Sequence, residues 1–265
     1  MRRWWGEYKT TEFAAIDPAR TIAVLPTAAH EQHGPHLPVS VDTEINLGLL
    51  RTVIGMAPDD LDFRILPVQA VGKSNEHLHA PGTLTLPYHL AAELWIELGL
   101  SVARAGVRKL VIVNSHGGNL DIIGIVAREL RVRAGMLVAK CQWNAFGKPD
   151  GLFSAREAQF GIHGGDLETS LMLHFRPDLV DMDKARDFRS SAEGMGDFAW
   201  LRPTGGVSYG WIASDLGAHG TVGEAHLATA EKGAATARHQ AAAFIALLRD
   251  MEKADLAAFP ALAEG

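Results

Sequence analysis

Residues 109–119 read KLVIVNSHGGN: a run of mostly apolar and β-branched residues passes directly into Asn, Ser, His and two glycines. A short run of this composition that ends in turn-forming residues is typical of a buried strand. The following segment, Asn119 to Arg133, carries apolar residues at i, i+3, i+4 and i+7 spacing, which predicts a helix. A strand that leads into a helix indicates a parallel sheet flanked by helices.

The same pattern recurs along the chain. Three further runs are predicted to be strands: Thr21 to Pro26, Phe63 to Val71 and Met136 to Trp143. Three further segments have helical spacing: His89 to Ala105, Gly164 to Phe175 and Glu224 to Glu252. Residues 186–220 are rich in Gly, Ser and aromatic residues without a clear period, so we expect loops and short strands there. No linker divides the chain, and residues 1–265 are predicted to form one α/β domain.

Composition excludes several classes of protein. With 265 residues, 47% of them hydrophobic and 21% charged, the chain can bury a large core. A net charge of −6 without a Lys- or Arg-rich run makes nucleic acid a poor partner. No apolar run approaches the roughly 20 residues of a membrane helix, so a soluble, cytoplasmic protein without a membrane partner is expected. The single cysteine, Cys141, excludes an internal disulfide and is predicted to be a core thiol in a buried strand.

A first polar cluster follows the run Thr21 to Pro26, where residues 30–42 read HEQHGPHLPVSVD. Three histidines and a carboxylate within seven residues are costly to bury without partners, and their oxygen and nitrogen donors suit Zn, Mn or Fe. In an extended segment Glu31 and His33 would point to the same side. Asp42 is expected to return from a loop and bridge to them. The alternative is a solvated polar loop with a capping aspartate.

The second cluster is His116, Gly117 and Gly118, at the end of the predicted strand Lys109 to Asn114. Ligands of open α/β sheets bind outside the carboxyl ends of the strands, and glycines there let the backbone approach a ligand closely. Asn119 is predicted to cap the next helix. The alternative for His116 is a core histidine whose hydrogen bonds are satisfied.

The third cluster contains His163 and Glu168, within the segment IHGGDLETS of residues 162–170. If a helix begins near Gly164, Glu168 falls in its first turns and points toward the same end as His163. A solvent-facing Glu168 is the alternative, which the apolar residues 171–173 weaken. Segments 72–83 and 217–223 are predicted to be walls of a pocket, although structural loops explain either of them equally well.

Together these motifs resemble the creatininase family. The family's Glu-x-His-Gly-x-His-Leu-Pro segment, with an Asp nine residues after the first His, matches Glu31, His33, His36 and Asp42. Three further family motifs match residues 74–83, 114–116 and 163–170: Ser-x-Glu-His with Pro-Gly-Thr, Asn-x-His, and His-x-Gly-x-x-Glu-Thr-Ser. The matches follow the family's order.

The resemblance implies a three-layer α/β/α sandwich with a mostly parallel central sheet, often assembled as a homo-oligomer such as a hexamer. It also implies two divalent metal ions, Zn, Mn or Fe. Glu31 and His116 would hold one metal, His33 the other, and Asp42 both. Members that hydrolyse creatinine take another ligand from a Glu at the position of Gly118, so Glu168 is predicted to supply the missing ligand.

The implied reaction is hydrolysis of the C–N bond of a small cyclic amide or formamide by a hydroxide shared between the metals. His163 or Glu168 would pass a proton to the leaving nitrogen, and His163 is preferred because Glu168 is assigned to a metal. Substrate contacts are predicted from Ser74, Glu76, His77, Gly117, Gly118 and His36. Creatinine itself is not favoured, because residues 159–162 read QFGI where creatinine hydrolases have a Trp-Asp pair.

Other functions stay open at this point. Within the family these are a deformylase of a pyrimidine- or flavin-pathway intermediate and a peptidase-like enzyme. The non-enzyme alternative is an inactive metal-binding assembly protein, which the full ligand set beside His163 argues against. A nucleotide-binding protein is not expected, since no Walker or Gly-x-Gly-x-x-Gly sequence follows a strand.

Overall fold

The computed structural model describes residues 2–261. Its centre is a sheet of four parallel strands in the order β2-β1-β3-β4. The strands are β1 (Ile22–Thr27), β2 (Phe63–Ile65), β3 (Lys109–Asn114) and β4 (Leu137–Gln142). Because all four run in one direction, their carboxyl ends lie along one edge of the molecule.

Eight α-helices are present among residues 2–261: α1 (Thr10–Phe13), α2 (Val41–Met56), α3 (Tyr88–Arg104), α4 (Leu120–Ala134), α5 (Ala155–Phe160), α6 (Asp166–Phe175), α7 (Ala213–Leu216) and α8 (Ala230–Lys253). Two strands of two residues each, β5 (Asp187–Phe188) and β6 (Gly223–Glu224), pair antiparallel outside the main sheet. Short 3-10 helices include Asn75–His77, Gly117–Asn119 and Trp143–Phe146. None of the helices within the described range is long and apolar enough to cross a bilayer.

Alternating side chains of the central strands divide the core into two layers. Ile22 and Val24 of β1 face one layer, which contains buried residues of α2, α6 and α8. Ala23 and Leu25 face the other, which is closed by α3 and α4. The predicted α/β/α sandwich with a parallel central sheet is therefore confirmed.

The predicted strands agree with the structure except for the second. The run Lys109 to Asn114 forms β3 without change, whereas the run Phe63 to Val71 yields a strand of only three residues. Pro67 follows this strand closely and has no N–H to donate to a ladder, so regular pairing stops. One isolated bridge, between Thr27 and Gln69, continues the pairing.

Helix α2 was missed, and the prediction that Asp42 lies in a loop is wrong: Asp42 is in the first turn of α2. Nine of the 16 residues of α2 are buried, because the helix packs against both α6 and α8. A helix that is buried on most sides shows only a weak apolar stripe in its sequence. The predicted helix from Glu224 to Glu252 begins only at Ala230, after a cap in which the Thr229 side chain accepts from Lys232 N–H.

Strand β4 lies at an edge of the sheet, and its residues are partly exposed. Cys141 is consequently half-buried, whereas the sequence predicted a core thiol in a buried strand. Its Sγ lies 3.7 Å from the Ile112 carbonyl oxygen, to which it donates. Burial of the side chain raises the pKa of the Cys141 thiol to about 12.

Candidate metal centre

The site lies where the carboxyl ends of β1 and β3 meet the beginnings of α2 and α6. A cavity of about 680 Å³ opens there. Seven of the residues predicted from the sequence line it: Glu31, Glu76, His77, His116, Gly117, Gly118 and His163. The parallel sheet thus brings together segments that are far apart in the chain.

The loop after β1 aims Glu31 and His33 to the same side. Glu31 N–H donates to the Val39 carbonyl at 2.9 Å, which closes the loop on itself. His33 donates from Nδ1 to the Glu31 carbonyl oxygen at 3.0 Å, so its Nε2 is directed into the cluster. From there Nε2 lies 3.7 Å from both Asp42 Oδ1 and Glu168 Oε2.

One group of ligand atoms belongs to Glu31, Asp42 and His116, and all three side chains are buried. His116 Nδ1 lies 3.1 Å from Glu31 Oε1 and 3.4 Å from Asp42 Oδ2. Its other nitrogen, Nε2, donates to the Lys73 carbonyl oxygen at 2.8 Å. A histidine fixed in this way from behind presents Nδ1 as its ligand atom.

A second group belongs to His33, Asp42 and Glu168. Glu168 stands in the first turn of α6, where its Oε2 accepts from Gly164 N–H at 2.6 Å. Four groups whose ligand atoms lie within 4.8 Å of one another occur among the described residues; the other two combine Glu31 with His33 and His163, and with Glu76 and His77. Asp42 is common to the two groups that contain His116 and Glu168, respectively. Glu168 therefore lies beside His33 and Asp42, where the sequence predicted that it would replace the missing ligand.

Two buried atoms of this cluster, His33 Nε2 and Asp42 Oδ2, have no hydrogen-bond partner in the described part of the chain. Leaving such an atom unpaired costs about 1–3 kcal/mol. Both atoms face other ligand candidates, and carboxylate with imidazole is a donor set that suits Zn or Mn. The residues present therefore fit divalent cations.

Electrostatics support the same conclusion. Burial raises the pKa of Asp42 well above its usual range, and the charge of Glu31 adds to this effect. Burial opposes ionisation of Glu31 too, but His116 and His163 hold the pKa of its carboxyl well below the usual range. Burial also raises the pKa of Glu168. Carboxylates this close cannot all ionise without a positive charge between them, which a divalent cation would provide.

Ser74 and His36, both predicted to contact substrate, do not line the cavity. The Ser74 hydroxyl is fully buried and donates to Glu31 Oε2. His36 Nε2 lies 3.1 Å from the Gly164 carbonyl oxygen and 3.0 Å from Thr169 Oγ1. In the structure each of these two side chains is hydrogen-bonded behind the cavity wall, and their predicted contact with substrate stays a prediction.

Glu76 occupies the space next to Gly118. A Cβ atom at position 118 would overlap Glu76 Oε1, so no other residue fits there while Glu76 keeps its place. Lys73 Nζ donates to Glu76 Oε2 at 2.7 Å, and His116 Nε2 lies 3.4 Å from Oε1. Burial opposes ionisation of Glu76, yet His116 and Lys73 lower its pKa to about 2.

Several residues that shape the site were missed or misassigned. Asn119 occupies the N-cap position of α4 as predicted but makes no side-chain capping hydrogen bond: its amide donates to the Ala28 carbonyl oxygen and to Asn114 Oδ1, each at 3.1 Å. It thereby ties together the segments that follow β1 and β3. Gln32 was not singled out, although its side chain contacts two histidines of the site. The cavity is also lined by Gln142, Asn144, Tyr209, Trp211 and Gln240.

The predicted wall 217–223 lies mostly behind His163. Thr221 Oγ1 and Val222 N–H donate to the His163 carbonyl oxygen at 2.6 and 2.8 Å. His219 packs edge-on against Phe188, with ring centroids 5.6 Å apart, and does not line the cavity. This segment therefore positions His163.

The family model described as creatinine amidohydrolase matches residues 6–248. The chain belongs to the creatininase family. As a creatininase-family protein it is a hydrolase that acts on amide bonds.

Curated relatives of this creatininase-family chain carry two names. A mycofactocin precursor peptide peptidase of Mycolicibacterium smegmatis is 33% identical over 62% of this chain and 61% of that protein. A protein of the same name from Mycobacterium ulcerans is 30% identical over 86% of this chain and 84% of its own length. A creatinine amidohydrolase of Pseudomonas putida is 31% identical over 69% of this chain and 74% of that protein.

Solved creatininase structures have the same fold. One, named as creatininase with Mn, gives a TM-score of 0.74 at 25% identity and covers 96% of this chain and 100% of that one. A mutant creatininase of Zn-Zn type gives the same score, identity and coverage. Members of the creatininase family are thus known with Mn and with Zn, the metals that the donor set here suits.

Proposed function

We propose that this chain hydrolyses an amide bond of a peptide or peptide-like substrate and needs two divalent metal ions to do so. The observation that carries the proposal is that two ligand groups share Asp42, and that Glu31 and His116 of the first group line the cavity. Glu31, Asp42 and His116 would hold one ion, and His33, Asp42 and Glu168 the other. When bound, such a pair lowers the pKa of a shared water toward about 7 and polarises the substrate carbonyl.

His163 is the residue that we assign to proton transfer. Its Nε2 donates to the Gln32 carbonyl oxygen at 2.7 Å, so Nδ1 is the nitrogen that faces Glu31, at 3.6 Å. An amine leaves an amide only when its nitrogen is protonated, and His163 at the cavity wall would hold that proton at Nδ1 and deliver it.

The size of the cavity favours a substrate larger than a single small ring. About 680 Å³ lies within the range of sites that enclose a drug-sized ligand, and a ring of creatinine's size would fill only a small part of it. Polar side chains such as Gln142, Asn144 and Gln240 contribute to its lining. Two relatives of the chain are named as peptidases, which agrees with an extended amide.

A small cyclic amide or formamide is the second candidate. It is supported by the creatinine amidohydrolase of Pseudomonas putida, which is nearly as similar in identity as the peptidases. Creatinine itself is not favoured, because creatinine hydrolases have a Glu ligand at the position of Gly118. In this chain the space next to Gly118 is taken by Glu76.

Elemental analysis of protein purified without added metal tests the metal centre. We expect about two equivalents of Zn, Mn or Fe per chain in the wild type and loss of both in Asp42→Asn, because that residue belongs to both ligand groups. Asp183→Asn, an exposed position, is the matched control and should keep its metal. Equal metal contents in Asp42→Asn and the control would refute the shared-ligand assignment.

A substrate panel with the metal-loaded enzyme tests the reaction. Short peptides, creatinine-like cyclic amides and formamides are offered in parallel, and cleavage of peptides alone is the expected result. His163→Ala should lower kcat about 10²–10⁴-fold on a peptide and less on a peptide p-nitroanilide, whose nitrogen leaves with less need of a proton. His89→Ala, at an exposed position on α3, is the control. Equal losses on both substrates would rule out proton donation by His163.

A further inference from the structure

Three histidine rings of the site lie side by side, with His163 in the middle. Its ring centroid is 4.1 Å from that of His33 and 4.4 Å from that of His77. Imidazoles this close repel one another if more than one is charged. The position of each ring hydrogen therefore determines what the group can donate and accept.

Gln32 contacts two of these rings and the loop behind them. Its amide nitrogen Nε2 lies 2.8 Å from His77 Nδ1 and 3.3 Å from His163 Nε2, and it also donates to the Gly220 carbonyl oxygen. Its amide oxygen accepts from Gly34 N–H at 2.9 Å. Both ends of the amide are thus engaged, and the Gly34 contact fixes which end is the oxygen.

The number of hydrogens on each nitrogen determines which groups donate and which accept. The amide nitrogen has two hydrogens and three neighbours. His163 Nε2 donates its own hydrogen to the Gln32 carbonyl oxygen at 2.7 Å and is no acceptor. The two amide hydrogens therefore go to Gly220 and to His77 Nδ1. A neutral His77 that accepts at Nδ1 carries its hydrogen on Nε2, which lies 3.5 Å from Glu31 Oε1.

We infer that Gln32 is a positioning residue that sets opposite roles for two histidines beside the ligands. Its amide holds His77 with a hydrogen on Nε2, directed at Glu31, so His77 is a fixed donor. Its backbone carbonyl accepts from His163 Nε2, so the other nitrogen of His163, Nδ1, faces the same carboxylate oxygen without a hydrogen. The functional half of this inference rests on the proposed role of His163; the assignment of ring hydrogens does not.

Nitrogen-15 NMR of ring-labelled, metal-free protein tests the assignment without any activity measurement. In the wild type, His77 Nδ1 should give the shift of a nitrogen without hydrogen, and a His77→Asn variant identifies the signal. Gln32→Glu keeps the shape but replaces the donor with an acceptor, so a hydrogen should appear on Nδ1 of His77. Gln32→Met is a second variant that removes the donor without adding charge. A hydrogen on His77 Nδ1 in the wild type would overturn the inference.

Kinetics of the metal-loaded variants test the positioning role. Gln32→Glu should lower kcat about 10–100-fold, as for other groups that orient residues of a metal site, with KM changed less than about twofold and metal content unchanged. Gln69→Glu is the matched control, because Gln69 also donates to a backbone carbonyl, that of Pro67, but lies outside the cavity. An unchanged kcat in Gln32→Glu, or a loss of metal without a shift of the His77 signal, would show that Gln32 is merely structural.

Discussion

The Ser74 hydroxyl donates to Oε2 of Glu31, and the other oxygen of that carboxylate, Oε1, is approached by three histidine nitrogens. His116, His77 and His163 lie 3.1, 3.5 and 3.6 Å from Oε1. One oxygen of Glu31 is thus held in place while the other faces the cluster. Ser74 orients a candidate ligand although it does not line the cavity itself.

Ser74→Ala should weaken metal binding about 10–100-fold, because outer partners of ligands have effects of this size. Competition with a chelator for the loaded ion measures the change. The control is Ser101→Ala, which removes an exposed hydroxyl that donates to the Glu97 carbonyl oxygen on α3. If both variants retain the ion equally well, Ser74 does not fix the carboxylate.

Gly118→Ala should reduce metal content and thermal stability. The added methyl group would overlap Glu76 Oε1 and press on His116, so either the loop or a ligand has to move. Gly117→Ala adds the same methyl where it meets nothing within 4 Å and should leave both quantities close to the wild type. Calorimetry and elemental analysis of the two variants make the comparison, and indistinguishable results would mean that the loop yields freely.

The protein should lose stability between pH 6.5 and pH 4 in part through His36. Burial lowers the pKa of His36 to about 4, whereas the unfolded chain takes up that proton near 6.5. Over this window the unfolded state binds more protons, so the free energy of unfolding falls as the pH falls. The interval of about 2.5 pH units corresponds to at most about 3 kcal/mol.

Urea unfolding of metal-free wild type and His36→Gln measures that contribution. Glutamine places its amide nitrogen near the position of Nε2 and does not titrate, so the variant should have a flatter pH profile from 6.5 to 4. Parallel profiles of the two proteins would contradict the assignment.

Cys141 should react slowly with thiol reagents. A pKa of about 12 leaves about a thousandfold less thiolate at pH 8 than the ordinary value of 9.0 would, and the thiolate is the reactive form. Iodoacetamide labelling of the native protein should be slower than that of a free small-molecule thiol by about this factor, and it should become fast in urea. A native rate within tenfold of the free thiol would show that the side chain is open to solvent.

The central strands were predictable because burial on both faces leaves a plain apolar run, as in residues 109–114. Helix α2 was not, since packing against two other helices removes the apolar stripe that identifies a helix. This is why Asp42 was assigned to a loop: the sequence shows a candidate ligand, but the helix that carries it has no periodic apolar pattern.

Within the candidate site, the residues that the sequence singled out were those with unusual chemistry, the clustered carboxylates and histidines. Ordinary polar residues such as Gln32, Ser74 and Asn119 could not be assigned in the same way, because their roles depend on partners brought together only by the fold. Gln142 could have been found, since it ends β4 at the same edge of the sheet where ligands were expected.

Because Asp42 belongs to both candidate ligand groups, binding of the two proposed ions would be linked. An ion held by Glu31, Asp42 and His116 would neutralise and orient the carboxylate that the second ion also needs, while its own charge would repel that ion. Whichever effect is larger, the factor by which one bound ion changes the affinity of the other is the same in both directions. One coupling constant would therefore describe how each ion affects the other. A metal titration of the apoprotein should then follow a cooperative or anticooperative curve rather than the curve of two independent sites.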